Sequence, residues 1–241
     1  MPAPAPQLSL VIPVYNEAGN ILPLAERCVT VLRGLGRPFE AIFVNDGSTD
    51  ATAAEIAEAH ARWPEVRELA MPKNSGQALA LLTGLRAATG DYLLMMDGDG
   101  QNDPADYPEL LALVETGAVD LACGWRVDRH DNIVRKVMSR IANVVRGWFL
   151  ADGVHDSGCQ LRVMRRDVRD AFFPMELMQS FVPALAVAAG WRVGERPVRH
   201  HARHHGDSKY GFWRLLWRPT VAMLGLKWKI VRGRVPKRAQ P

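Results

Sequence analysis

Along its first hundred residues the chain alternates apolar runs of strand length with amphipathic segments of helical period. Leu8-Ser-Leu-Val-Ile-Pro-Val-Tyr15 reads as a buried strand ending at Asn16-Glu17, and residues 18–33 place Ile21, Leu24, Cys28, Val31 and Leu32 on one helix face. Phe39-Glu-Ala-Ile-Phe-Val44 is a second strand. It ends in Asn45-Asp-Gly-Ser-Thr-Asp50, where Gly47 supplies the turn and Ser48, Thr49 or Asp50 caps a helix through His60. Val66 to Met71 is a short third strand, followed by Pro72-Lys-Asn-Ser-Gly76 and an Ala/Leu-rich helix to Ala88. Leu93-Leu-Met-Met96 is the fourth. This succession predicts one α/β domain, a mostly parallel sheet covered on both faces, with ligands at the carboxyl ends of its strands.

The fourth strand breaks into Asp97-Gly-Asp-Gly-Gln-Asn-Asp-Pro104, with Gly98, Gly100 and Pro104 ending it. Alternation sends residues i and i+2 to one side, so Asp97, Asp99 and the amide of Gln101 are expected to converge. Two carboxylates suit Mg2+ or Mn2+, which take oxygen ligands and leave their other positions to water and substrate phosphates. The competing reading is a solvated acidic turn. Asn16-Glu17 and Asp46-Gly47-Ser48 end other strands and would share a rim with this loop. No Gly-X-Gly-X-X-Gly follows the first strand and no Gly-Lys-Ser/Thr loop occurs, so a nucleotide would be held in another way.

Charge sharpens the picture. The net charge of +4 hides an acidic first half, 7 Lys/Arg against 17 Asp/Glu in residues 1–120, and a basic second half, 23 against 9. A metal-and-nucleotide half beside a half that grips anionic phosphate or an anionic membrane accounts for this asymmetry. Zinc-finger spacing and RNA-binding aromatic signatures are missing, so nucleic acid is not an expected partner. Cys28, Cys123 and Cys159 are far apart and odd in number, as expected of reduced thiols in a cytosolic protein. The Pro-rich leader, residues 1–7, lacks an export signal and is expected to be disordered.

Several motifs in order carry a resemblance. Val11-Ile-Pro-Val-Tyr-Asn-Glu17, Val44-Asn-Asp-Gly-Ser48, Asn74-Ser-Gly76, Thr89-Gly-Asp91 and Asp97-Gly-Asp-Gly-Gln-Asn-Asp-Pro104 resemble the motifs of family-2 nucleotide-sugar glycosyltransferases. The similarity is strongest to the dolichol-phosphate and bacterial polyprenyl-phosphate mannosyltransferase group. It extends through Gly124-Trp-Arg126, Arg135-Lys-Val-Met-Ser-Arg140, Asp156-Ser-Gly-Cys159, Arg162 and Arg203-His-His-Gly-Asp-Ser-Lys-Tyr210, covering roughly residues 8 to 212. The resemblance implies a single Rossmann-like GT-A domain. Asp97, Asp99 and Gln101 would bind the metal, Mg2+ or Mn2+, while Pro13, Tyr15, Glu17 and Asp46 would cradle base and ribose. Arg126, Arg135, Lys136 and Arg140 would meet the acceptor phosphate. Arg203, Ser208 and Lys209 would lie in a loop closing over the phosphates, with Arg203 and Lys209 adding fixed positive charge for the leaving diphosphate.

The expected reaction is metal-dependent, inverting transfer of a hexose from a GDP- or UDP-sugar to a polyprenyl phosphate, with mannose from GDP-mannose the first guess. A phosphate acceptor is already anionic and needs placement by Arg rather than a general base. UDP-sugar donors and a lipid or saccharide hydroxyl acceptor are the nearest alternatives. A haloacid-dehalogenase-type phosphohydrolase is disfavoured because its nucleophilic Asp usually lies near the chain start; a lipid-phosphate-binding regulatory subunit is the non-enzymatic alternative. Asp46 reads equally as a base ligand or a turn and cap residue. Arg165 and Arg166 read as a solvated helix start, and His200, His201, His204 and His205 as part of the basic loop. Residues 213–241 mix Trp and Leu with Arg and Lys. They read as an amphipathic segment against the inner leaflet, with Arg232, Arg234, Lys237 and Arg238 facing anionic lipid, or else as a helix packed on the domain's own core. The expected location is the cytoplasmic side of the membrane, with room for a membrane partner subunit.

Overall fold

The computed structural model describes residues 5–127, 145–199, 201 and 212–238, without the side chains of 212–218. Its first half follows the expected units: β1 (Leu8–Val14), α1 (Ile21–Gly34), β2 (Phe39–Asn45), α2 (Thr52–Arg62), β3 (Val66–Ala70), α3 (Gln77–Ala87) and β4 (Tyr92–Met95). A 3-10 turn (Pro104–Asp106) leads into α4 (Tyr107–Glu115) and β5 (Leu121–Arg126). Residues 145–150 are helical, α5. Then come β6 (Arg162–Arg165), the 3-10 segment Arg166–Ala171, α6 (Met178–Ala189), β7 (Val193–Val198) and α7 (Phe212–Val231).

The strands form one sheet in the order β3-β2-β1-β4-β6-β5-β7. Neighbours are parallel except at β6, which runs antiparallel to both β4 and β5. Side chains alternate across the sheet. Leu8, Leu10, Ile12 and Val14 pack with α1, α2 and α4 on one face, while Val11, Ile42, Val44 and Met95 pack with α3 and α6 on the other. The result is a three-layer domain with two buried cores.

Going from β1 the chain builds outward through β2 and β3, then returns to place β4 on the other side of β1. The carboxyl ends of β1 and β4 are therefore a topological switch point, where open α/β sheets bind ligands. Pro13 sits in this central strand without breaking it, because β4 pairs only with Leu8–Val11 and has left β1 before Pro13 is reached.

The described side chains of residues 219–238 turn two faces in different directions. Leu226 and Val235 are buried in the α3–α6 core, and Lys237 Nζ donates to the Ala188 carbonyl at 2.8 Å. The opposite stripe, Val221, Leu224, Trp228 and Val231, is exposed, with Arg234 stacked 4.6 Å over Trp228. The buried face matches the reading of a helix packed on the domain's own core. Among the described residues no helix is long and apolar enough to cross a membrane.

The end of the chain is tied to β5 through Asp120, whose carboxylate accepts the Arg192 backbone amide and guanidinium at 3.0–3.1 Å and faces Arg238 at 3.7 Å. Burial pushes the Asp120 carboxyl up, but the Arg192 bonds and the Arg192 and Arg238 charges outweigh it and hold it below the ordinary range. A depressed carboxyl stabilises the fold above its unfolded pKa, about 4, and that contribution fades as pH falls through the lower folded value. The thermal midpoint should therefore drop below about pH 4, and drop less steeply in Asp120→Asn; equal slopes would contradict this.

Candidate active site

The rim is built from three loops at the switch point. Asn16, in the left-handed region at φ 52°, turns the chain out of β1 so that its side-chain oxygen accepts the Thr49 amide at 2.8 Å. The Asn16, Glu17, Ala18 and Gly19 amides donate to Ser48, Thr52, Asp50 and Glu55 in turn. Tyr15 is exposed, and the Glu17 carboxylate accepts the Asn20 amide at 2.8 Å. This lacing holds the β1 and β2 loops as one wall.

Asp46 lies behind that wall rather than on it. It is 2 % exposed, and its two oxygens accept the Ser75 and Gly76 amides at 2.7 and 2.8 Å. Of its two readings, the structure supports a loop-holding role, directed at the start of α3 rather than at its own α2. Gly47, at φ 68°, lets the loops approach this closely. A Cβ there would stand 2.5 Å from the Lys73 carbonyl carbon. Lys73 itself is exposed.

The acidic loop departs from the expectation of period-two convergence. β4 ends at Met95, so Asp97 lies in irregular backbone just beyond the strand and Asp99 in the turn that follows, neither on the strand itself. The loop itself brings them to the switch point: Asp99 Oδ1 accepts the Gln101 amide at 3.1 Å, and Asp97 Oδ1 accepts the Gln77 side-chain amide at 2.6 Å. A Cβ on Gly98 would fall 2.6 Å from Val14 Cγ1, so the loop packs directly on the end of β1. Gln101 also bridges to β7's exit, its carbonyl accepting the His201 amide at 2.9 Å. Asp103 anchors that exit, taking His201 Nε2 at 3.1 Å with Arg27 and Arg199 nearby at 3.4 and 3.6 Å. Burial raises the Asp103 carboxyl, but the bonds from His201 and the Ala105 amide and the two Arg charges bring it below its usual value.

Arg126 is engaged within the fold. Its Nε and Nη2 donate to the two oxygens of Asp156 at 2.7 and 2.9 Å, a bidentate pair that is mostly buried. Burial opposes the guanidinium's charge, and Asp156 more than compensates, so Arg126 stays firmly protonated. It is first a clamp on the 156–158 loop, with Nη1 the donor not spent on Asp156. Asp156 is in turn held by Glu195, whose carboxylate accepts the Asp156 and His155 amides. Arg166 pairs with Asp91 and Thr89, a structural role. Arg135, Lys136, Arg140, Arg203, Ser208 and Lys209 lie outside the described residues.

Asp156, Gln77, Gln179 and Asp103 carried no assigned role in the sequence. For Asp103 the signal was its place between Gln101 and Pro104; for the glutamines there was none, since their partners are 20 and 102 residues away. The three thiols are free and buried, and burial pushes Cys28 and Cys123 up to about 12 and Cys159 to about 11, which leaves them unreactive.

The profile of glycosyl transferase family 2 matches residues 9–173. Dodecaprenyl-phosphate galacturonate synthase of Rhizobium johnstonii is 38% identical over 217 residues, 88% of this chain and 64% of that protein. Undecaprenyl-phosphate 4-deoxy-4-formamido-L-arabinose transferase of Klebsiella pneumoniae is 36% identical over 214 residues, 88% of this chain and 65% of that protein. The chain thus spans just under two thirds of the length of these relatives. Among solved structures, a mannosyltransferase from Pyrobaculum calidifontis in complex with GDP-Man and Mn2+ aligns with a TM-score of 0.66 at 20% identity, over 100% of this chain and 67% of that one. Glucosyl-3-phosphoglycerate synthase from Mycobacterium tuberculosis in complex with UDP aligns with a TM-score of 0.68 at 18% identity, over 92% and 80%. These structural likenesses carry the fold, which is GT-A-like. With a profile match over most of its length and relatives above one-third identity, the chain belongs to glycosyl transferase family 2.

Proposed function

We propose that this chain is the catalytic domain of a metal-dependent transferase that moves a sugar from a nucleoside diphosphate to a polyprenyl phosphate. The observation that carries the reading is the placement of Asp97 and Asp99 in the one loop after β4 at the switch point, beside the laced β1 and β2 loops. The relatives named for dodecaprenyl- and undecaprenyl-phosphate chemistry support the acceptor.

The donor set fits a hard divalent cation. Among the described residues no group of three or more His, Cys, Asp or Glu side chains gathers, so an all-protein cage for a transition metal is not what this loop offers. Two carboxylates suit Mg2+ or Mn2+ shared with a diphosphate, and Asp97 and Asp99 would hold it, with Gln101 alongside. When bound, such an ion supplies Lewis-acid neutralisation of the leaving diphosphate. The remaining work falls to the chain. Tyr15 and Glu17 would line the base and ribose side, with Pro13 behind them, and Asp46 would act through the 73–76 loop. Arg126 would orient the acceptor through Nη1, together with Arg135, Lys136 and Arg140. Gln101 and Asp103 hold His201, and Arg203 and Lys209, with Ser208, would add positive charge and a hydroxyl for the phosphates. Direct displacement at the anomeric carbon would invert it.

The exposed stripe of α7 supports a position at the membrane interface. Val221, Leu224, Trp228 and Val231 would enter the headgroup region while Arg232 and Arg234 meet anionic lipid. Trp148 is likewise exposed, on the helix whose Phe149 lies under Lys227 of α7. The relatives named for galacturonate and formamido-arabinose favour a sugar of that kind over mannose. The test offers undecaprenyl phosphate and undecaprenol side by side in lipid vesicles, with labelled donors from GDP-mannose to UDP-linked uronic acids and pentoses. Label on the phosphate alone is expected; label on the alcohol would overturn the acceptor reading and require a catalytic base.

A further inference from the structure

We infer that Gln77 and Gln179 form an amide relay that sets the orientation of the Asp97 carboxylate for metal binding, its far end fixed by Arg162 and Pro183. This rests on the metal reading above and deepens it. The order of bonds follows from chemistry. Asp97 as a carboxylate only accepts, so Gln77 must turn its NH2 toward it, and does so at 2.6 Å. That leaves Gln77 Oε1 facing the other way, so Gln179 must present its own NH2, which it does at 3.1 Å. Both amides are thereby oriented by the charge on Asp97.

The far end is locked by a different device. Pro183 lies inside α6 and has no N–H, so the helix leaves the carbonyl of residue 179, four positions earlier, without its usual donor. Arg162 fills that role. It is 0 % exposed, and Nη1 donates to the Gln179 carbonyl at 2.6 Å while Nη2 donates to the Ser157 carbonyl at 2.7 Å. Gln179 is thus fixed by backbone and side chain together. Its own Oε1 is buried with no hydrogen-bond partner. A purely structural residue here would be apolar, since an unsatisfied buried carbonyl carries the full desolvation penalty of that group. What the glutamine uniquely provides is the N–H that orients Gln77.

These are positioning residues, and partners of this kind behind a metal ligand typically change metal affinity 10- to 100-fold. The test measures Mn2+ binding by electron paramagnetic resonance in the presence of UDP or GDP, with thermal midpoints alongside, for the wild-type chain, Gln77→Leu and Gln179→Leu. Gln77 is exposed, so its variant should fold. Both variants should bind Mn2+ about tenfold more weakly, and Gln179→Leu should melt no lower than wild type because it removes an unpaired carbonyl. Mn2+ uptake by wild type with unchanged affinity in both variants would overturn the relay alone. A wild-type chain that takes up no Mn2+ with either nucleotide would overturn the metal reading and the relay with it.

Discussion

Asp97→Asn and Asp99→Asn should each lower sugar transfer about a thousandfold while leaving the fold intact, as expected when one charge-stabilising group for a developing anion is lost. The fold should survive because asparagine keeps an oxygen acceptor. Asn at 97 still accepts from Gln77, and Asn at 99 still accepts the Gln101 amide, so the loop keeps both of its described bonds. What is lost is a negative charge at the place where a divalent cation would sit. Steady-state transfer together with a thermal melt checks this. Full activity in Asp97→Asn would point instead to a binding module, and a collapsed melting curve would make the loop structural.

Arg126→Ala should act in the opposite way, through stability first. It strips Asp156 of a bidentate partner in a site where both groups are largely buried, and breaking such a pair costs about 3–5 kcal/mol. For a chain of this size that is a fall of roughly 10 °C in thermal midpoint. Replacing the pair together, Arg126→Leu with Asp156→Leu, should recover part of the loss, since neither member of the pair is then left behind as a buried charge facing the gap of the other. Transfer separates the two roles. If Arg126 also meets the acceptor, the double variant will fold well yet show a raised KM for polyprenyl phosphate; normal KM in that variant would confine Arg126 to clamping its loop.

β1, β2 and β4 were legible because they are buried parallel strands that read as largely apolar runs between turn signals. β3, Val66-Arg-Glu-Leu-Ala70 at the sheet edge, is half-exposed and was legible from its place between helix and loop signals. β6 was not. Its Arg162-Val-Met-Arg165 begins and ends with arginine, and nothing local announces that Arg162 is fully buried, because its partners are the carbonyls of Ser157 and Gln179. The same limit applied at the site. Asp97 and Asp99 stood out as carboxylates after an apolar run, but their approach was argued from strand alternation, and the strand ends before them. Asp46 carried two readings, and its partners, the Ser75 and Gly76 amides, lie 29 and 30 residues on, beyond any local signal. The pairing of Arg126 with Asp156, thirty residues on, had no local signal.

The central claim is metal-dependent transfer to a lipid phosphate. The most direct measurement follows label from a panel of GDP- and UDP-sugars into undecaprenyl phosphate, with Mn2+ or Mg2+ present and then with chelator. Transfer from one donor that chelator abolishes and added metal restores is the predicted result; transfer that persists in chelator, or no labelling of undecaprenyl phosphate from any donor, would contradict it.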